Sequence, residues 1–548
     1  MSHDSYLAGV VEQLEALNKS GSQGEVPAEW LEVALELAEL DLDPVVEELA
    51  RCYASLSQGK VAPKPPKDPP SMLRSLVLGV MLDWANPHEL NANLTLHPLL
   101  AIIAGWKPGH LPAVTTYYNF LARIEAGPYD PNARREPRSS TTNNRGRFSR
   151  KLKEERKSRK EAMEKACKEV DTEPVGLEVK YVLARRAAGQ GPQATLAARL
   201  NAMLGAAVVR PSGLRGLLGA SGRVSTAIDG SLVDSAARGR GRKACGCPRR
   251  APCGHDQGIN YTDPSAQWTW DHYRRRWMFG HKLMLASTTY QGVELPLALQ
   301  TSPANFHDSV LAPVLLEMLD AMFSGSALRL SHAIMDRGFD AAPLYHLVST
   351  LGATPIIPLH PNAKPLHSDG DQTFNEDGVP LCKGGIPMTR HGKSPNGAAV
   401  MFNCPAKYAG REDGKVVRKV DVERCPLGSL CDPTSKMGPM VHVDLQKNGR
   451  LSPLIPRDSE RFKELYNQRT VAERMNAHLK GRIGERPYRR ESHLAIWTFA
   501  WALSRHAHAW RIDEFGAKGP SSLPDLIDHI NKLRDAREVV AMERAEAA

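Results

Sequence analysis

The stretch "RWMFGHKLMLASTTYQGVELPLALQT", Arg276 to Thr301, reads as two strand-forming runs separated by a polar Gln291-Gly292 pair. A two-residue break ending in glycine marks a tight hairpin, because the turn needs backbone angles that glycine adopts without steric cost. Upstream, "RVSTAID" (223–229) alternates as a strand that ends in Asp229 and turns through Gly230. Downstream, "HDSVLAPVLLEMLDAM" has the period of a helix and "LRLSHAIMD" that of a strand ending in Asp336. "AAPLYHLVSTLG" is a helix stopped by Gly352, and "ATPIIPL" is one more strand. Three antiparallel strands followed by helix-linked strands predict a mixed sheet in an α/β layer fold.

Before Arg223 the pattern is helical. Residues 27–58 have a helical period and an acidic composition, and "KVAPKPPKDPP" (60–70) reads as a linker. "SMLRSLVLGVMLDWA", "LHPLLAIIAGW" and "HLPAVTTYYNFLARI" continue the helices, and 191–220 adds shorter ones. The segment 133–170 is dense in Lys and Arg interleaved with Ser, Asn and Gly, which suits a solvated face or contact with phosphates.

The chain has 548 residues, enough for three or four units at about 100–200 residues each. Its net charge of +10 and pI near 9.1 favour an anionic partner, nucleic acid before membrane. No run approaches the ~18 apolar residues of a spanning helix, and "MSHDSYLAGVVEQLEAL" lacks the pattern of a signal peptide. Nine cysteines, with Cys52 and Cys167 inside helical patterns, argue against a secreted disulfide framework. A soluble, cytoplasmic protein is expected.

"LYNQRTVAERMNAHLK", Leu465 to Lys480, reads as one helix. At about 100° per residue, Tyr466, Arg469, Glu473 and Lys480 fall within an arc of roughly 60°, beside an apolar stripe of Leu465, Ala472 and Leu479. Such a face is ordinarily a solvated one with i,i+4 ion pairs. It can also present Glu473 to a sheet edge that holds Asp229 and Asp336. Three carboxylates from two strands and a helix supply the hard oxygen donors that Mg²⁺ prefers, and two such ions suit phosphoryl transfer.

These motifs together resemble the DDE transposases of bacterial insertion sequences. Tyr466, Arg469, Glu473 and Lys480 fit the Tyr-(2)-Arg-(3)-Glu-(6)-Lys signature of one group, and "AIDGS" around Asp229 and "IMDRGFD" around Asp336 resemble its acidic motifs. "FGHKLMLASTTYQGVELPLALQTSPANFHDS" resembles its strand pair and its Ala304, Asn305, His307, Asp308 segment. The resemblance implies a ribonuclease H-like mixed-sheet core, with an insertion before the last catalytic helix and an α-helical N-terminal DNA-binding region. It implies Asp229, Asp336 and Glu473 as catalytic ligands of two Mg²⁺, with Mn²⁺ as a possible substitute, and Tyr466, Arg469 and Lys480 as contacts to DNA.

The implied organisation is a helical DNA-binding or dimerisation region over 1–132 and a basic linker with helices over 133–222. The first part of the core covers 223–359, with a Cys-rich insertion at 235–275. A Cys-containing insertion at 360–457, the core's completion at 458–515 and a helical tail at 516–548 follow. Some relatives stack a flipped base on a Trp between the second and third carboxylates. Residues 337–472 hold no Trp, only Phe374, Phe402 and Tyr408 as candidates.

The remaining cysteines form two sets: Cys245, Cys247 and Cys253 with His255, and Cys382, Cys404, Cys425 and Cys431. Grouping in loop-rich insertions suits structural Zn²⁺, although the spacings depart from the usual pairs. The expected function is a transposase that binds its element's ends, cleaves DNA and transfers the 3′-hydroxyl to target DNA. It would act as a homodimer on double-stranded DNA in the bacterial nucleoid. A metal-dependent nuclease and a domesticated DNA-binding regulator are the alternatives on the same fold.

Overall fold

The computed structural model describes residues 2–21, 26–54, 68–84, 86–127, 161–162, 164–168, 173–240, 242–244, 258–260, 263–363, 368–412, 415–420, 425–427, 438–483, 488–516 and 518–546. The central sheet contains β1 (Arg223–Asp234), and a separate two-stranded ladder of β2 (Arg242–Ala244) and β3 (Gly258–Asn260) follows it in the chain. The sheet continues with β4 (Gln267–Asp271), β5 (Arg276–Tyr290), β6 (Val293–Pro303), β7 (Arg329–Ile334) and β8 (Thr354–Ile356). The order is β4-β5-β1-β7-β8, and β6 also pairs with β5. β1, β4 and β6 run antiparallel to β5, whereas β1–β7 and β7–β8 are parallel. The sheet is mixed, as the pattern predicts.

The hairpin forms at Gln291 (φ 47°) and Gly292 (φ 84°), both in the left-handed region that a two-residue turn requires. β5 is long enough to serve two neighbours on one edge: His281 to Tyr290 pair with β6, and Arg276 to Gly280 pair with β4. β4 lies inside the 235–275 stretch read as an insertion, so part of that stretch belongs to the sheet. Asp229 does not end its strand, as the alternation suggested. β1 runs on to Asp234 because Gly230 to Asp234 remain paired with β5.

The helix expected over 27–58 is two helices, Ala28–Glu39 and Asp43–Ala54, separated at Leu40, Asp41 and Leu42. The Asp41 side chain accepts from Asp43 N, a local bond that competes with the helical ladder. These helices share one apolar core with the sheet and the C-terminal helices. The helix Glu491–Phe515 is buried around most of its circumference, with Trp497, Trp501 and Trp510 enclosed. It packs against β6, Pro69–Met81 and Ala28–Glu39. Gly79 lies under the Trp497 ring, and a Cβ there would stand 3.0 Å from the Trp84 carbonyl oxygen. The helix Leu523–Glu546 returns to the N-terminus, where Arg537 donates to Asp4 and Asp41, each at 2.8 Å.

Residues 360–457 contain a strand triplet, Thr389–Lys393, Ala399–Asn403 and Met440–Asp444, over a small core of Phe374, Met388, Val400, Phe402, Val443 and Leu445. Arg450 forks onto Asp340 at 3.0 and 2.8 Å, and Arg457 donates to Ile357 O and Tyr345 Oη. These bonds tie the 360–457 unit to the segment that follows Asp336. Among the described residues no helix is long and apolar enough to cross a membrane.

Candidate active site

Ala227 of β1 pairs with Ile334 of β7 in the parallel ladder. Asp229 and Asp336 each lie two residues beyond that pair, so the register brings them to the same level on neighbouring strands. Alternation along β1 sends Ala227 and Asp229 to one face and Ile228 to the other. Ile228 joins the main core, whereas Ala227 packs with Val471 and Ala472 of the helix Thr470–Ile483. Asp229 therefore faces the helix that carries Glu473.

That helix is not continuous with the one before it. Glu460–Asn467 and Thr470–Ile483 are joined at Gln468 and Arg469, where the bonds tighten from i+4 to i+3: Gln468 N to Leu465 O, and Arg469 N to Tyr466 O. Thr470 Oγ1 donates to Asn467 O at 2.9 Å and fixes the break. The apolar stripe survives it. Leu465, Ala472 and Leu479 are all buried.

Asp229 is enclosed enough that burial, followed by the charges of Asp336 and Asp308, pushes its carboxyl up to about 6. Asn476 Nδ2 donates to Asp229 Oδ2 at 3.0 Å, and Arg469 opposes the repulsion. Asp336 accepts from Gly338 N at 2.7 Å, which fixes the carboxylate at the head of a 3₁₀ turn. Asp308 stands in the first turn of the helix Asp308–Phe323, paired with Lys282 of β5. It packs on β1 so closely that a Cβ at Gly230 would lie 2.7 Å from its Oδ1. A side chain at 230 would therefore displace the Asp308 carboxylate.

Glu473 is turned to Arg469, whose Nη2 lies 2.6 Å from its Oε1. This is the ordinary i,i+4 pair that the sequence also allowed. Arg469 CZ lies 5.8 Å from the Tyr466 ring centre, and Tyr466 stacks beside Phe462 over Ile334 and Ile356. Lys480 is half-buried in the helix's last turn. Among the described residues no three His, Cys, Asp or Glu side chains meet closely enough to hold a metal ion. The three carboxylates share a face without converging on one point. Their chemistry fits a hard cation all the same: Asp229 is lifted by burial and then by neighbouring acids, and Arg469 is the positive charge set against it.

Residues 222–505, just over half of the chain, match the family model described as the transposase DDE domain. The chain belongs to the DDE transposase family. No curated protein and no solved structure matches it. The mixed sheet with its flanking helices fits the ribonuclease H-like fold of such transposases.

In this transposase, sequence reasoning missed Asn476, Lys282 and the role of Asp308. At about 100° per residue Asn476 falls between the apolar stripe and the polar arc, so its position was legible. Arg474 and His478, which point away from that arc, anchor the helix: Arg474 Nε donates to Glu294 of β6 at 2.8 Å, and His478 Nδ1 accepts from Trp501 Nε1 at 3.3 Å. Phe374 and Phe402 are no stacking candidates, because both are buried in the small core of the 360–457 unit. The Tyr408 side chain lies outside the described residues.

For zinc, Cys245, Cys247, Cys253, His255 and Cys431 lie outside the described residues, as does most of the basic segment 133–170. Cys382, Cys404 and Cys425 are unbridged thiols. The turn at Gly384 brings Cys382 beside Pro426, the neighbour of Cys425.

Proposed function

We propose that this transposase binds the ends of its element, cleaves DNA there and joins the freed 3′-hydroxyl to target DNA. Asp229, Asp336 and Glu473 are the carboxylates that would hold divalent cations, Mg²⁺ with Mn²⁺ as substitute. Held there, the cations would supply positive charge to the attacking and leaving oxygens of the phosphoryl transfer. The observation that carries this reading is the Ala227–Ile334 register, which sets Asp229 beside Asp336 on the face where the Glu473 helix docks.

The burial of Asp229 and its repulsion from the neighbouring Asp336 support this reading, since a cation would relieve both. Glu473 is half exposed and held by one surface ion pair, so releasing it from Arg469 costs little. Arg469, once released, has the planar fork that suits a DNA phosphate, with Lys480 as a second charge and Tyr466 bracing the guanidinium. Joining two target strands calls for two such sites and hence a homodimer on paired ends. The helical N-terminal region and the basic 133–222 segment would bind the duplex.

Asp336→Asn tests the assignment. Cleavage of end DNA should be abolished and Mn²⁺ binding, read by electron paramagnetic resonance, should weaken, while duplex binding persists. Normal nicking by this variant would overturn the assignment. Strand-transfer products from tagged, pre-cut ends would separate a transposase from a nuclease that only cuts.

A further inference from the structure

The hairpin between β4 and β5 has a surface that the active site does not use. Trp268, Trp270, Tyr273 and Trp277 are four of the eleven large hydrophobic side chains most exposed among the described residues, and they fall within ten consecutive positions. Trp270 pairs directly with Trp277 across the strands, and Trp268 with Phe279, so four aromatic rings stand on one face of the ribbon. Phe279 and one edge of Trp268 are covered from below: Phe279 packs with Ala237 and Ala266, and a Cβ at Gly239 would run into the Trp268 ring. The outer pair is open. Trp270 is 39% exposed, Trp277 is 64% exposed, and their rings meet edge to face at 5.8 Å and 75°.

The turn beyond them is built to stay in shape. Asp271 accepts from Tyr273 N and Arg274 N, each at 3.0 Å. Arg274 and Arg276 reach back to Asp234 at the end of β1. Tyr273 projects from the tip at 96% exposure, next to an exposed Arg275. A small protein surface seldom leaves so much rigid aromatic area in water without a partner.

Charge indicates the partner's class. Residues 234–276 hold nine Lys and Arg against four Asp, a surplus of five, with Arg274 and Arg276 both engaged by Asp234. Of those acids, Asp263 is buried against His281, and Asp271 is engaged with the turn backbone. Aromatic faces interleaved with arginines suit nucleic acid, and a ring face exposed at right angles to its neighbour suits an unpaired base. Resting on the transposase reading, we propose that this ribbon binds single-stranded DNA, with unpaired bases stacking on Trp270 and Trp277 and Tyr273 at the tip, and Arg275 meeting a phosphate. Leu285, opposite Asp229, is eight residues along β5 from Trp277. At about 3.3 Å per residue the platform lies about 26 Å from the carboxylates, close to the rise of eight base pairs. The strand held there would be one opened at a distance from the cut and kept from re-pairing.

The test uses the full chain, a fluorescein-labelled 20-nucleotide oligo(dT) and a duplex of matched length. Oligo(dT) should bind and quench tryptophan fluorescence. Trp270→Ala and Trp277→Ala should each lose roughly five- to a hundredfold in affinity for it, with part of the quench, and should bind the duplex as wild type does. Tyr273→Ala, at a position that packs on nothing, gives the same reading if a tryptophan variant unfolds. Wild-type affinity for oligo(dT) in all folded variants would overturn the proposal. Equal losses on duplex would overturn the unpaired-base assignment. A changed sedimentation coefficient with unchanged DNA binding would make the ribbon an interface between copies and overturn it also. The two readings fail separately: Asp336→Asn that still cleaves sinks the active-site assignment and leaves the ribbon result standing, whereas normal oligo(dT) binding by the ribbon variants sinks only the ribbon.

Discussion

Replacing Arg469 with Ala separates a helix ion-pair partner from a DNA ligand, because the two roles differ by more than an order of magnitude. In the structure its guanidinium has one short bond, 2.6 Å to Glu473, with side-chain exposures of 25% and 50%. A pair so open to water contributes about 0.3–0.5 kcal/mol to stability. The contact over Tyr466, at 5.8 Å, adds about 0.5 kcal/mol. Loss of both should therefore shift the urea midpoint only slightly. Loss of a charge-assisted phosphate contact would cost about 1.5–3 kcal/mol, or roughly ten- to over a hundredfold in cleavage. Arg469→Lys should fall between, since it keeps the charge and loses the fork. The assay is Mg²⁺-dependent cleavage of a labelled end duplex, run beside urea unfolding of the same preparations. An Arg469→Ala protein of near-normal stability that cleaves within about twofold of wild type would refute the DNA role.

Other perturbations test the frame around the site. Asp340→Ala should strand Arg450 and loosen the 360–457 unit; losing the partner of a largely buried ion pair costs about 3–5 kcal/mol, and limited proteolysis should then cut within 360–457 before the core. Equal protease resistance in wild type and variant would contradict that anchoring role. Stability should also fall with acid. Burial pushes the His506 imidazole down to about 4, where it bonds Ser212 Oγ and Pro296 O, and burial and Arg505 push His478 to about 4 as well. The unfolded chain takes up these protons first, so the stabilisation is complete above about pH 6.5 and is lost as pH falls towards 4. Each histidine accounts for about 1.4 kcal/mol per pH unit in that window. Urea midpoints that match at pH 7 and pH 5 would count against neutral buried histidines.

The sequence by itself determined those parts of the protein whose signal is local and periodic. The Gln291-Gly292 hairpin, the helix over Asp308–Phe323 and the buried stripe of Leu465, Ala472 and Leu479 all follow from spacing, because a strand repeats every two residues and a helix every 3.6. The family was legible for a related reason: its motifs keep fixed separations over short stretches of chain, as from Tyr466 to Lys480 across two successive helices.

What depends on which strands become neighbours was not legible. Pairing energy comes from partners far apart in the chain, so nothing near Asp229 reveals that β1 continues to Asp234 along β5 or that Ala227 meets Ile334. Lys282 and Asp308 meet only across that assembled sheet. Arg469 shows the same limit in one side chain. Its spacing served a helix pair and a DNA ligand equally well, and only the folded site set its guanidinium between Glu473 and the acids it helps to balance. The burial that lifts Asp229 belongs to the packed molecule, since the charge of a carboxyl group is set by the water and neighbours it has after folding.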